Sequence, residues 1–155
     1  MEIVINFNDM NWSAIGPELI ILTTAFFILL AGLKKSLNTL SFLSGVSLIG
    51  VVAGFLFTLS LWGGAPTAES GSSSGIFSGS LIHDRFSLAF NLIFLLISVF
   101  AIFGSVRYPQ ENHENKAEYF TLLLMAVAGM MFMAKSGNLI TVFISLELFS
   151  IALYI

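Results

Sequence analysis

Five apolar runs, almost free of charge, dominate this sequence: residues 15–33, 37–62, 86–106, 118–134 and 139–155. A helix needs roughly 20 apolar residues to cross about 30 Å of hydrocarbon, and each run comes close to that length. Only 10% of the 155 residues are charged while 57% are hydrophobic, against about 25% charged in an ordinary soluble domain. Such a chain cannot clothe a globular surface in water. The expectation is an all-α polytopic transmembrane helix bundle with five spans, forming a single membrane domain over residues 1–155.

The boundaries carry their own signals. Gly16-Pro17-Glu18 opens the first run with proline near the first helical position and an acid in the first turn. Lys34-Lys35 ends it, Trp62 with Gly63-Gly64 ends the second, and Arg107-Tyr108-Pro109 ends the third. A short turn, Lys135-Ser136-Gly137-Asn138, joins the fourth run to the fifth. The fifth is still apolar at Ile155, so the expectation is a segment of a longer polypeptide. The first fourteen residues hold no Lys or Arg, unlike a secretory leader, so the first run is expected to be retained. Lys34, Lys35, Arg107 and Lys116 fall on one side of the membrane and Arg85 and Lys135 on the other, which predicts an extracytoplasmic N-terminus. Residues 63–80, rich in Gly and Ser, read as a flexible external loop.

Several function classes drop out. Six Lys plus Arg against nine Asp plus Glu supply no basic patch for nucleic acid. With no cysteine there is no disulfide, iron–sulfur ligation or thiolate zinc site. The two histidines, His83 and His113, both fall between runs, where neither could hold a haem inside a span. Any energy-converting role therefore involves ions or protons rather than a redox centre in this chain. The connector residues Glu111, His113 and Glu114 read as solvated polarity rather than a metal site. No nucleophile–base set can be assembled for a stand-alone enzyme.

Helices in lipid associate through close backbone approach and shared polar contacts. Ser41-xxx-Gly45 and Gly50-xxx-Gly54 in the second run have the required small-residue spacing. Ser87, Asn91, Ser98 and Ser105 line one side of the third and should face protein, as packing or as a water-lined path. Met125, Met130, Met131 and Met133 read as gap-filling packing residues.

One acid lies deep in a span. Glu147, eight residues past Leu139, sits about 12 Å into the hydrocarbon. A charge there costs about 2.5–3.5 kcal/mol on insertion scales, so it is expected to face the bundle. Nothing basic on its own span pairs with it, and a carboxyl that can hold or release a proton in such a place is a natural proton carrier. The alternative is a neutral acid sharing a hydrogen bond with a neighbouring helix. Glu118 opens the fourth run, where a carboxylate complements the helix dipole, although Thr121 one turn on leaves a relay role open. Glu18 receives the same structural reading more strongly.

Glu118-Tyr119-Phe120 with Leu122-Leu123-Leu124, Gly129-Met130-Met131, the Lys135-to-Asn138 turn and Leu146-Glu147-Leu148-Phe149-Ser150 together resemble the antiporter-like membrane subunits of respiratory complex I. Pro17-Glu18-Leu19 and Asp84-Arg85-Phe86-Ser87 add weaker support. The resemblance implies an incomplete antiporter-like fold of inverted repeats, proton translocation with Glu147 and Glu118 as functional acids, and a lysine partner for Glu147 beyond this chain. It also implies other membrane-arm subunits as partners, a bacterial inner-membrane setting, and no cofactor in this chain, with NADH, FMN, iron–sulfur clusters and quinone in other subunits. On that reading the chain serves a translocase but is inactive alone. Multisubunit sodium/proton antiporters share these glutamates and stand as the alternative, beside a non-transporting membrane scaffold.

Overall fold

The computed structural model describes residues 12–34, 39–65, 74–77, 79–107 and 116–154. A 3-10 turn, Trp12–Ile15, leads into α1 (Gly16–Gly32), followed by α2 (Leu40–Trp62), β1 (Ser74–Ile76), β2 (Leu81–His83), α3 (Arg85–Arg107), α4 (Lys116–Ala134) and α5 (Leu139–Tyr154). The expected helical bundle is present, and every helix boundary falls within a few residues of the run that predicted it. Four segments, Trp12–Gly32, Leu40–Trp62, Arg85–Ser105 and Ala117–Ala134, are long and apolar enough to cross a membrane, whereas α5 is shorter. Phe26, Phe27, Ile49, Leu56, Phe100 and Phe103 point outward, an apolar girdle suited to lipid and not to water. The chain is a membrane protein.

The helices run alternately up and down. α1 packs on α2, α2 on α3, and α4 closes the group by lying against α1 and α3, with α5 added on the far side of α4. Core residues recur at helical spacing: Ile21, Ala25 and Ile28 on α1, Leu88, Leu95 and Ile102 on α3, and Phe120, Leu124 and Met131 on α4, all buried. The polar stripe of α3 faces inward beside them, with Ser87, Asn91, Ser98 and Ser105 all buried. Met125, Met130 and Met131 fill the core as expected, while Met133 lies outside it, 39% exposed.

Small residues set two seams. A Cβ on Gly50 would run into the Thr24 side chain, and one on Gly54 would meet Ile21 at 3.3 Å, so these two bring α2 against α1. The other expected pair does not act this way: a Cβ on Gly45 would meet nothing within 4 Å among the described residues, and Ser41 is exposed. Gly129 lets α5 approach α4, since a Cβ there would lie 2.9 Å from the backbone nitrogen of Phe149.

Part of the Gly/Ser-rich loop is folded. Residues 66–73 lie outside those described, but β1 and β2 pair antiparallel, Ser74 with His83 and Ile76 with Leu81. The hairpin caps one end of the bundle: Ile82 N–H donates to the Lys135 carbonyl at 2.7 Å and Gly137 N–H to the Ser80 carbonyl at 2.9 Å. Ala14, Ile15, Ile76 and Leu81 form a small apolar cluster beneath it, and Phe77 at its tip meets Trp12 edge-on at 5.9 Å. Asp84 then caps α3, its Oδ1 accepting from Ser87 N–H at 2.8 Å.

Candidate functional site

Alternation of the helices brings the start of α1, the start of α3 and the end of α4 to one end of the bundle, beneath the hairpin. There Glu18 is fully buried, and Lys135, just past the last turn of α4, is 1% exposed. Lys135 Nζ lies 2.7 Å from Glu18 Oε1 and donates to the Ala14 carbonyl at 2.6 Å. Asn91 Nδ2, from α3, donates to the same Oε1 at 2.6 Å. Three helices and the first turn of the chain are thus tied at one carboxylate. Among the described residues neither Glu18 Oε2 nor Asn91 Oδ1 has a hydrogen-bond partner.

This pair departs from the sequence reading. Glu18 does not merely complement the dipole of α1, and Lys135, read from the sequence only as part of a turn and as a charge in the orientation count, is its buried partner. The signal was available in the order of the spans: two ionisable residues separated by an even number of crossings return to the same end. A fully buried carboxylate then draws in a cation from that end, because burying either charge alone costs several kcal/mol, and Lys135 is the one that folds against it while Arg85 stays exposed. His83, in β2, is also buried. Desolvation holds its imidazole below the ordinary histidine range, the Lys135 ammonium pushes the same way, and the Glu18 and Asp84 carboxylates oppose them.

Glu118 sits in the first turn of α4 at the opposite end and is exposed. It lines a groove of about 530 Å³ between α3, α4 and α5, together with Ser98, Tyr119, Leu122 and Phe149. Thr121 does not extend a polar path from it: its hydroxyl donates to the Ala117 carbonyl at 2.8 Å and also reaches the Ala25 carbonyl at 3.4 Å. Glu147 is exposed as well and does not face the bundle, contrary to the expectation. The reason is geometric. α5 has a single main neighbour, α4, and turns Ser145 and Phe149 toward the protein, which puts position 147 on the other face. Glu147 and Glu118 are therefore not brought together in one cavity, since Glu147 does not line the groove. Glu111, His113 and Glu114 lie outside the described residues, among which no metal-binding group of three occurs.

No family model matches the chain. Whole-sequence comparison is decisive instead. Subunit N of the NADH-quinone oxidoreductase of Trichlorobacter lovleyi is 33% identical over 149 residues, covering 96% of this chain and 29% of that protein. Nearly the whole chain is therefore similar to one stretch of subunit N. Another subunit N, that of the F(420)H(2) dehydrogenase of Methanosarcina mazei, is 31% identical over 140 residues, 90% of this chain and 28% of that protein. Subunit 2 of the chloroplast NAD(P)H-quinone oxidoreductase of Chlorokybus atmophyticus is 32% identical over 148 residues, 96% of this chain and 28% of its own length. The chain thus spans under a third of the subunit N relatives it matches.

Proposed function

We propose that this chain is part of a membrane subunit of a proton-pumping NADH-quinone oxidoreductase, which couples electron transfer in other subunits to proton translocation through intramembrane carboxyls, Glu147 and Glu118 among them. The observation that carries this reading is the match to subunit N along nearly the whole chain, with Glu147 standing in mid-span on a helix face that its own neighbours leave open. An acid at that depth cannot rest against lipid without cost, so further protein covers α5 and supplies the group with which Glu147 exchanges its proton. Glu118, at the mouth of the α3–α4–α5 groove, stands at the other end of α4 from Lys135 and is the second proton-transfer residue. FMN, iron–sulfur clusters and quinone belong to the partner subunits. The setting is the bacterial inner membrane, with the N-terminus extracytoplasmic. Commitment of Lys135 to Glu18 supports that orientation, because it leaves Arg85 alone against Lys34, Lys35, Arg107 and Lys116 in the charge balance.

The redox complexes named among the relatives favour this over a sodium/proton antiporter. Glu147→Gln, which keeps the shape and removes the titration, tests it. Inverted vesicles carrying the assembled variant complex should translocate fewer protons per NADH oxidised than wild type. An unchanged ratio would overturn the reading.

A further inference from the structure

A buried ion pair is a weak source of stability, because desolvating two charges offsets most of their attraction, and apolar contact would join α1 to α4 as well. Bonding at the Glu18–Lys135 pair is also one-sided. Oε1 receives both Lys135 Nζ and Asn91 Nδ2, at 2.7 and 2.6 Å. Glu18 Oε2 and Asn91 Oδ1 are buried acceptors with no donor among the described residues. As built, the site has room for one more proton. The pair can also rearrange internally: across 2.7 Å the proton on Nζ can pass to the carboxylate, leaving a neutral amine and a neutral carboxylic acid, a form that low dielectric favours over two separate charges. The amine lone pair then accepts a proton from one side, and the acid releases one to the other.

We propose that Glu18 and Lys135 are a second proton-handling pair, distinct from Glu147 and Glu118, which takes up and releases a proton at the end of the bundle closed by the β1–β2 hairpin. Asn91 positions the carboxylate. The hairpin keeps bulk water from the pair and is fastened to it, because Ile82 N–H is bonded to the Lys135 carbonyl. His83 is the neighbouring titratable group, and the charges acting on it are those of Lys135, Glu18 and Asp84. This inference rests on the reading of the chain as part of a proton-translocating subunit.

Lys135→Arg separates a proton site from a clasp. A guanidinium holds Glu18 by charge but does not give up its proton. In the full-length subunit, within its assembled complex in inverted vesicles, Lys135→Arg should lower the protons translocated per NADH oxidised, as Glu147→Gln does. A wild-type ratio in Lys135→Arg beside a lowered ratio in Glu147→Gln would make the pair a clasp only and leave the proposed function standing. A wild-type ratio in both would remove both. If Lys135→Arg does not assemble, the neutral combination Glu18→Gln with Lys135→Met is measured in the same way, since neutral replacement of both partners is well tolerated. Infrared difference spectra during turnover give a second readout. A protonated-carboxyl band that shifts in Glu18→Asp and not in Glu147→Gln is expected, and its absence from the wild-type spectrum would overturn the proposal.

Discussion

Glu18 owes its position to groups from three other segments: Lys135 after α4, Asn91 on α3 and the Ala14 carbonyl that holds the lysine in place. Only Ala14 is near it in sequence, and the local signal at Pro17-Glu18 is that of an ordinary helix start. What lay in the sequence was each residue's nature; what did not was its partner, because that depends on how many times the chain crosses before returning. His83 is legible only in the same way, as a histidine between runs that the hairpin then buries. Its consequence is a pH dependence of definite sign. Burial and the Lys135 ammonium lower its pKa from 6.5 in the folded cap, so the opened hairpin binds more protons than the closed one below about that pH. The cap is therefore stabilised above this value and loses that stability as the pH falls through the lowered folded pKa. Backbone amide exchange at Ile82 should accelerate on acidification, and His83→Gln should flatten the profile; equal pH dependence in both proteins would count against it.

The helices themselves were plain in the sequence, since bilayer thickness imposes a length on each and lysines, prolines and glycines mark the ends. The β1–β2 hairpin was hidden, because a Gly/Ser-rich stretch masks the short Ser74–Ile76 strand, which pairs with Leu81–His83, itself bridged from Leu81 to Ser136 in the α4–α5 turn. Orientation of α5 was hidden too: its one charged residue, Glu147, pointed to the wrong face, and the inward face follows from having α4 alone as main neighbour among the described residues. Gly129 is where that contact is tightest. Gly129→Val should push α5 away from α4 at a cost of about 1–3 kcal/mol, whereas Gly45→Val, with open space around it, should change little. Thermal unfolding of the detergent-solubilised protein checks the difference. Because the chain has no cysteine, disulfide trapping between cysteines introduced on α4 and α5 can report the separation directly.

At the scale of the whole molecule the ionisable groups are graded in depth. Glu118 marks one end of α4, Glu18 and Lys135 the other, and Glu147 stands between them on the outer side of α5. Two kinds of apolar exterior follow. Phe26, Phe27 and Phe103 belong to helices already packed on their inner sides and should meet lipid. Phe143, Ile144 and Ile151 share α5 with a carboxyl that lipid would not tolerate. In the full-length protein a carbene probe dissolved in the bilayer should label the first group and spare the second; labelling of Phe143 to the same extent as Phe27 would show that nothing covers Glu147.

The distance along the chain between Glu18 and its counter-ion bears on biogenesis. α1 leaves the ribosome before α2, α3 and α4 are made, so for roughly ten seconds at ordinary elongation speeds the carboxyl of Glu18 is without Lys135. Lys135, one residue beyond the fourth passage, then ties that passage to the first, so the earliest helix made is secured by a residue synthesised 117 positions after Glu18.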